Sequence, residues 1–312
     1  MKIGNIDLGG SPLLLAPMED VTDASFRILC REQGASAVYT EFIPSDGLIR
    51  DAGKALAKMR TRKDEAPVGI QIYIPESMVE AARMADRAAE LVGGHGADFI
   101  DINFGCPVSK IAGRGAGSGM MREPDKMVAI TKAVVEAVDK PVTVKTRLGW
   151  DEGSKIIVEL AERLQDAGIQ ALTIHGRTRC QMYIGNGDID SPQKAKEAFE
   201  RWGVDAIMVG RATFGHPWIF KEMRTYLDTG ELMPEPSVSE KVALAKRHLA
   251  LSLELKGEPR GIFEMRRHLS CYFKGLPDFK DTRMRMVTTL DVAELYSILD
   301  EIEERYAAPF DS

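Results

Sequence analysis

The chain has 312 residues, of which 44% are hydrophobic and 28% are charged, and its formal net charge is −6. This composition is typical of a globular protein, and the length allows one large domain or two of ordinary size. No run approaches the roughly 18 apolar residues of a membrane span. The opening MKIGNIDLGG has no apolar stretch of the kind found in secretory signals. We therefore expect neither a membrane segment nor secretion.

The four cysteines, Cys30, Cys106, Cys180 and Cys271, lie far apart and form no C-x-x-C pair. This spacing argues against a metal site, zinc in particular, and against a disulfide framework. Free thiols persist in reducing compartments. The cysteine pattern therefore predicts a cytoplasmic protein.

Short β-rich runs alternate with segments that are apolar at helical spacing. Such alternation is typical of parallel βαβ units, and eight runs predict a closed (β/α)8 TIM barrel. An open doubly wound sheet is the alternative, but Gly113–Gly119 (GRGAGSG) lacks the G-x-G-x-x-G spacing and is interpreted as a mobile loop. The runs are Leu13–Met18, Ala37–Ile43, Val68–Tyr73, Asp98–Phe104, Val142–Arg147, Ala171–His175, Ile184–Asp188 and Ala206–Gly210.

The sequence changes character after the eighth run. Thr229–Pro236 (TGELMPEP) has the composition of a linker. Ser237 and Glu240 form a capping box at the start of a helix, and further helical patterns reach Tyr306. The sequence therefore predicts a barrel domain over residues 1–234 and a small C-terminal helical bundle domain over residues 235–312.

One interval is too short for this plan. Only eight residues separate His175 from Ile184, whereas a crossover between parallel strands needs about a dozen or more. The sixth β/α unit is therefore predicted to be truncated near Tyr183–Ile184. Either the chain lacks the segment, or the numbering closes over unobserved residues. The second explanation is favoured, because a barrel without one helix would expose an apolar strand face.

Polar side chains lie at the ends of seven of the eight predicted strands, and a barrel gathers these carboxyl ends into one mouth. Each has an ordinary structural explanation alone, but their convergence predicts a binding site. A lysine and a histidine can hold negative charge on a flat heteroaromatic ring, amides can match its donors and acceptors, and Asn-Gly-Asp with Gly-Arg suits a phosphate. Flavin mononucleotide (FMN) has that shape, whereas a sugar phosphate would not need the polar lining. The residues are Glu19, Gln71, Asn103, Lys145, His175, Asn186, Asp188 and Arg211.

Six motifs resemble those of the tRNA-dihydrouridine synthases, most closely the bacterial B type. They are APMEDVTDASFR (16–27), DINFGCPVSK (101–110), VTVKTRLGW (142–150), LTIHGRTR (172–179), NGDI (186–189) and VGRATFGHPWIF (209–220). The resemblance implies flavin-dependent reduction of the C5–C6 double bond of specific tRNA uridines, with NADPH or NADH as electron donor. Hydride would pass from FMN to C6, and a proton from Cys106 to C5. The implied flavin contacts are Pro17, Met18, Glu19, Gln71, Lys145, His175, Asn186, Gly187, Asp188, Gly210 and Arg211.

Cys106 sits in a turn between Gly105 and Pro107, just past an apolar run. A thiol is mostly protonated near neutral pH, which suits a general acid. We expect Gly105 to let the backbone turn sharply and Asn103 to orient the uracil by hydrogen bonds. The alternative for Cys106 is an inert buried thiol.

Basic residues concentrate in the C-terminal part of the chain. Residues 260–285 contain seven Lys or Arg and three Asp or Glu, a local balance of +4 in an otherwise acidic chain. Nucleic acid responds to such a local basic face, although a solvated helix face is the ordinary alternative. The predicted contacts with RNA phosphates are Lys110, Arg114, Arg266, Arg267, Lys274, Arg283 and Arg285.

Two other functions stay open. One is an FMN-dependent dehydrogenase of a small pyrimidine-like substrate, which would not explain the basic helical tail. The other is a catalytically inactive RNA-binding relative, which a truly truncated barrel would permit.

Overall fold

The computed structural model describes residues 1–50, 53–73, 75–184 and 188–307. The strands are β1 (Lys2–Ile3), β2 (Ile6–Asp7), β3 (Leu13–Leu15), β4 (Val38–Tyr39), β5 (Ile43–Pro44), β6 (Val68–Tyr73), β7 (Phe99–Asn103), β8 (Val142–Arg147), β9 (Ala171–His175) and β10 (Ile207–Val209).

Helices follow most of these strands and fill the C-terminal part of the chain. They are α1 (Ala24–Glu32), α2 (Ser45–Ile49), α3 (Gly53–Lys58), α4 (Met78–Asp86), α5 (Ala88–Val92), α6 (Ser109–Ala112), α7 (Pro124–Val135), α8 (Ile157–Asp166), α9 (Pro192–Trp202), α10 (Ile219–Thr229), α11 (Val238–Lys256), α12 (Arg260–Tyr272), α13 (Lys280–Thr288) and α14 (Val292–Tyr306). No helix in the described ranges is long and apolar enough to cross a membrane.

The parallel strands follow one another in the order of a TIM barrel. β10 pairs with β3, and a bridge between Leu14 and Ala37 brings β3 beside the start of β4. From β4 the ladder continues through β6, β7, β8 and β9, always parallel. The sheet therefore curls through the eighth, first, second, third, fourth, fifth and sixth barrel positions, and the predicted α/β barrel plan is confirmed.

The second predicted strand is interrupted. Val38 pairs with Val68, whereas Ile43 pairs with Ile72, so five steps on one strand face four steps on β6. The extra residue breaks the pairing in the manner of a β-bulge, which bends a strand locally. One predicted run thus becomes β4 and β5.

The seventh barrel position is not filled by any described strand. Ile184 and Asp188, the ends of the predicted seventh strand, lie outside regular structure, and residues 185–187 are outside the described ranges. β9 pairs only with β8 in the described residues, and the next element is α9. The predicted truncation of the sixth unit near Tyr183–Ile184 is therefore confirmed.

This truncation exposes apolar surface, as the sequence led us to expect. Ile174 on β9 is 44% exposed, and Trp202 at the end of α9 is 60% exposed. The favoured explanation of the short interval, unobserved residues over which the numbering closes, stays a prediction, because continuous numbering from 1 to 312 agrees with either explanation.

One hydrophobic core extends from the barrel into the C-terminal helices. Leu13 and Val209 of the barrel belong to the same buried cluster as Leu249 of α11, Leu269 of α12 and Ile298 of α14. The predicted capping box starts α11, since Ser237 Oγ accepts from the Glu240 amide at 3.3 Å. The division into domains at residue 234 stays a prediction.

Candidate active site

Cys106 lies in a turn that follows β7 at the carboxyl end of the sheet. The side-chain oxygen of Asn103 accepts hydrogen bonds from the backbone amides of Gly105 and Cys106, each at 2.9 Å. The expected reason for Gly105 is wrong, because its φ is not positive and an added Cβ would meet the Lys145 carbonyl oxygen at an ordinary 3.5 Å. The Asn103 side chain, rather than the glycine, fixes this turn.

The glycine-rich segment 113–119 packs against Cys106. The Ser118 amide and hydroxyl both donate to the Cys106 carbonyl oxygen, at 3.0 and 2.8 Å. Gly117 has φ +52°, and an added Cβ would lie 2.8 Å from that same oxygen. Residues 113–115 form a turn, as expected of a loop, but residues 116–121 are buried and 117–122 form a 3₁₀ helix, so the interpretation as a mobile loop was wrong for the second half of the segment.

The environment of Cys106 favours the neutral thiol. The residue is 8% exposed, and burial raises the pKa of its thiol although the Arg147 and Lys145 charges act in the opposite direction. A thiol with a raised pKa stays protonated at neutral pH and can donate a proton. The position and the protonation state both suit a general acid.

A buried hydrogen-bond chain leads from this turn into the sheet. Asn103 Nδ2 donates to Gln71 Oε1 at 2.8 Å, and Gln71 Nε2 donates to Asp101 Oδ2 at 2.5 Å. Thr143 Oγ1 donates to the other oxygen of Asp101 at 2.5 Å. The sequence did not single out Asp101, because a carboxylate inside an apolar run carries no signal of its own.

Lys145 lies within β8 and His175 ends the neighbouring strand β9, but the two side chains carry different charges. Burial lowers the pKa of Lys145 to about 8, so the ammonium form still predominates at neutral pH. Burial, aided by the Lys145 and Arg147 charges, lowers the pKa of His175 to about 3. His175 Nε2 lies 2.6 Å from Arg177 Nη1 and must accept, because a guanidinium only donates. Negative charge can therefore be held by Lys145, whereas His175 is neutral.

Asp188 joins two arginines at the far side of the mouth. Its carboxylate accepts from Arg177 Nη1 at 2.9 Å and from Arg211 Nη2 at 2.5 Å. The hydrogen bond from Arg177 and the charges of both arginines lower the pKa of Asp188. Arg211 therefore keeps its predicted place at the end of β10 but is already paired. Asn186 and Gly187 lie outside the described residues.

The turn after β3 reaches the last strand. The Met18 amide donates to Thr22 Oγ1 at 3.0 Å, which closes the turn that follows Pro17. A Cβ added to Gly210 would lie 3.7 Å from Met18 Sδ, so the first and eighth strands meet here. Glu19 is directed to Lys58 at 2.5 Å.

Arg147 is a second residue that sequence reasoning did not assign. It is 2% exposed, and its Nε donates to the Gly105 carbonyl oxygen at 2.7 Å. Its Nη1 donates to the carbonyl oxygens of Thr178 and Met182, at 3.0 and 2.9 Å. One guanidinium thus ties the Cys106 turn to the segment after β9.

The predicted RNA contacts are spread over two regions. Lys110 lies in α6, and the Arg114 charge acts on the pKa of Tyr73 beside the mouth. Arg267 of α12 reaches the barrel, where its Nη1 donates to the Asp20 carbonyl oxygen at 3.4 Å. Arg114 and Arg267 therefore both lie near the predicted site.

The remaining candidates differ in their freedom to bind phosphate. Lys274 and Arg283 are exposed and have no ion-pair partner among the described residues. Arg285 pairs with Glu301 at 2.7 Å. Arg266 stacks on the ring of Phe263 at 4.6 Å and donates to a backbone carbonyl oxygen at 3.1 Å. The two unpaired residues are the better candidates.

The family model described as "Dihydrouridine synthase (Dus)" matches residues 14–185 and 182–306. A protein named tRNA-dihydrouridine synthase B from Xanthomonas campestris is 41% identical over 305 residues, covering 91% of this chain and 90% of that protein. One of the same name from Pseudomonas aeruginosa is 38% identical over 316 residues, covering 94% and 93%.

The comparisons also bear on the short interval. A probable tRNA-dihydrouridine synthase from Rickettsia prowazekii is 37% identical over 331 residues, covering 96% of this chain and 99% of that protein. That alignment is longer than the 312 residues of this chain, and the two family-model matches meet at residues 182–185. The relatives therefore have residues that are absent here. Among solved structures, a sialic acid aldolase from Ruminococcus gnavus aligns at 12% identity with a TM-score of 0.39, over 95% of this chain and 98% of that one.

Proposed function

Because the chain belongs to the dihydrouridine synthase family, we propose that it reduces the C5–C6 double bond of uridines in tRNA to 5,6-dihydrouridine. The overall reaction consumes NADPH or NADH and one proton for each uridine reduced. FMN, when bound, supplies the hydride that goes to C6. The remaining requirement is a proton for C5, and we assign its donor to the protein.

The side chains at the mouth fit a flavin. Gln71 Nε2 and Asn103 Nδ2 each make one described hydrogen bond and so keep one hydrogen for a ligand. Lys145 has no carboxylate within ion-pair distance among the described residues, which leaves its positive charge for an anionic ring. Gln71 and Lys145, with the Met18 turn, would hold the polar edge of the ring system, which leaves the Asn103 hydrogen for the substrate base.

Cys106 would donate the proton to C5. Burial keeps the thiol protonated, and the Asn103 and Ser118 hydrogen bonds hold its backbone in place. Lys145 lies close enough to affect its pKa, so the thiol and the predicted ring site are neighbours. A buried thiol, held by hydrogen bonds to its backbone at the carboxyl ends of the strands, is the observation that carries this proposal.

Asn103 would act on the uracil through its remaining amide hydrogen, which can donate to a carbonyl oxygen of the base. A base inside an RNA stack cannot reach this turn, so the target uridine would have to leave the stack, at a cost of a few kcal/mol.

Arg267, Lys274 and Arg283 would hold phosphates nearby. A cytoplasmic location is proposed with this function.

Rapid-mixing spectroscopy of the purified protein tests the function. We expect the protein to be yellow, to be bleached by NADPH, and to regain its colour quickly only when tRNA is added. The Cys106→Ala variant should bleach normally but regain its colour slowly.

Each alternative gives a different result. Recovery of colour with free uracil but not with tRNA would indicate a small-molecule dehydrogenase, and colourless protein that binds tRNA would indicate an inactive relative. Mass spectrometry of tRNA from cells lacking the gene would show which dihydrouridine disappears.

A further inference from the structure

Asp101 is a fully buried carboxylate in the middle of β7, and it is 0% exposed. Its two oxygens accept from Gln71 on β6 and from Thr143 on β8, each at 2.5 Å. Burying a carboxylate is costly unless it is hydrogen-bonded, and here donors from both neighbouring strands supply those bonds. A residue held at this cost in a strand interior suggests a role beyond packing.

The Asp101 carboxylate determines which group donates and which accepts in every hydrogen bond from Asp101 to the Cys106 turn. Because a carboxylate only accepts, Gln71 must turn its amino group toward Asp101 and its carbonyl oxygen toward Asn103. Asn103 must then present its amino group to Gln71, which leaves its oxygen for the amides of Gly105 and Cys106. A side-chain amide can exchange its oxygen and amino positions with little change of shape. The Asp101 carboxylate selects one of these two orientations for Gln71 and, through Gln71, for Asn103.

We propose that Asp101 is a positioning residue for the reaction: its carboxylate orients Gln71 and Asn103 and thereby holds the turn that carries Cys106. The inference rests on the proposed function, because it gives Asp101 a part in placing the proton donor. Asp101 itself touches neither the substrate nor the reacting atoms. It acts through Asn103.

The orientation of the Asn103 side chain also limits which base the site can recognise. The hydrogen that Asn103 Nδ2 retains has no described acceptor. A base beside it should therefore place a carbonyl oxygen there. If that oxygen is O4 of uracil, cytosine would place an amino group at the same point, which cannot accept. Through Asn103, Asp101 would then favour uracil without contacting it.

The charges around Asp101 are consistent with an ionised carboxylate at neutral pH. Burial raises its pKa to about 6, and the hydrogen bonds from Gln71 and Thr143, together with the Lys145 charge, oppose this rise. Tyr39 on β4 also faces it, and the Asp101 charge contributes to the raised pKa of that phenol. At pH 7 and above the group therefore remains an acceptor.

The Asp101→Asn variant tests the proposal, because it keeps the volume and adds an amino group that can donate to Gln71. Recovery of flavin colour by tRNA should slow at least about tenfold, since misplacing a reacting group by 1 Å can cost roughly a hundredfold. Bleaching by NADPH should slow clearly less than recovery, because that step involves Gln71 at the flavin but neither Cys106 nor Asn103.

A second measurement reports on the turn without any activity. The rate of Cys106 alkylation by iodoacetamide is followed by peptide mass spectrometry, with exposed Cys180 as internal reference in the same molecule. A loosened turn should raise the ratio of Cys106 to Cys180 labelling severalfold in Asp101→Asn.

Glu65→Gln is the matched control. Glu65 is also 0% exposed and pairs with Arg27 at 2.5 Å, but it precedes β6 and has no described hydrogen bond to Asp101, Gln71 or Asn103. The variant should lower stability and leave both readouts unchanged. Thr143→Val, compared with Thr143→Ser, replaces Asp101→Asn if that variant does not fold. Thr143→Val should slow colour recovery and raise the labelling ratio, both by less than Asp101→Asn does. Thr143→Ser should have the wild-type rate and ratio, because its hydroxyl can still donate to Asp101.

The outcomes separate the two proposals. An unchanged labelling ratio in Asp101→Asn, or equal slowing of both half-reactions, overturns the role of Asp101. If the wild-type protein shows no recovery with tRNA, the proposed function fails. The labelling ratio then still decides whether Asp101 holds the Cys106 turn.

Discussion

Lys256 Nζ lies 2.7 Å from Asp23 Oδ2, and this ion pair joins the end of α11 to the N-cap of α1. The other Asp23 oxygen accepts from the Ser25 and Phe26 amides, at 2.8 and 3.1 Å. One carboxylate therefore both starts a barrel helix and binds the C-terminal helices to it. His248 and His268 lie beside it, both buried and with pKa values lowered by that burial.

We expect Lys256→Met to destabilise the protein by about 3–5 kcal/mol, because it leaves Asp23 buried and uncompensated. Chemical denaturation measures this, and Lys194→Met is the control. Lys194 pairs with Asp190 at 2.6 Å, but both side chains are about half exposed, so its loss should cost about 0–1 kcal/mol. An equal loss of unfolding free energy in the two variants would show that the buried ion pair stabilises the protein no more than the exposed one.

The same pair predicts a pH dependence of stability. Burial alone would raise the pKa of Asp23, but Lys256 and the nearby histidines lower it well below its usual value of 3.8. A depressed pKa stabilises the folded state above pH 3.8, and this contribution is lost as the pH falls further. In Asp23→Asn the free energy of unfolding should therefore decrease less between pH 4 and pH 2 than in the wild type. A parallel decrease would contradict the assignment.

Apolar periodicity predicted the positions of the parallel strands well. β6, β8 and β9 have the predicted bounds, because they are rich in the β-branched residues Val, Ile and Thr, which favour strands. The site was harder to predict. Cys106 and Asn103 stand out by their place at a strand end, whereas Asp101 and Arg147 become meaningful only through partners on other strands. Contacts at long sequence separation leave no local pattern.

Cys106→Ser tests the role of the thiol. The rate of colour recovery with tRNA should fall about 10²–10⁴-fold, the usual contribution of a general acid. Because Cys106 has a pKa above the ordinary 9.0, the ratio of wild-type to variant rates should stay constant up to that pH and fall above it, as the wild-type thiol ionises. The ratio cancels the ionisation of Lys145 near pH 8, which both proteins share. A ratio that rises with pH would mean that the thiolate acts instead.

Charge reversal on the C-terminal helices tests the RNA surface. Arg267→Glu should weaken tRNA binding about tenfold and make log Kd less dependent on log salt, because a phosphate contact contributes a slope of roughly one. Arg285→Glu is the control, since Arg285 already pairs with Glu301, and it should have less effect. Flavin content should be unchanged in both. Loss of flavin in Arg267→Glu would show that the residue supports the barrel instead.

Matched substitutions on two strands test whether the truncated sixth unit leaves β9 uncovered. Ile174 on β9 is 44% exposed, whereas Ile102 on β7 is 0% exposed. Ile174→Thr should therefore change the free energy of unfolding by about 0.5 kcal/mol or less, as surface substitutions usually do. Ile102→Thr should cost at least about 2 kcal/mol, because it removes apolar volume from the core and buries a hydroxyl. Denaturation curves of the two variants measure both values. A loss at Ile174 as large as that at Ile102 would mean that another part of the chain, or a second copy of it, covers this strand in solution.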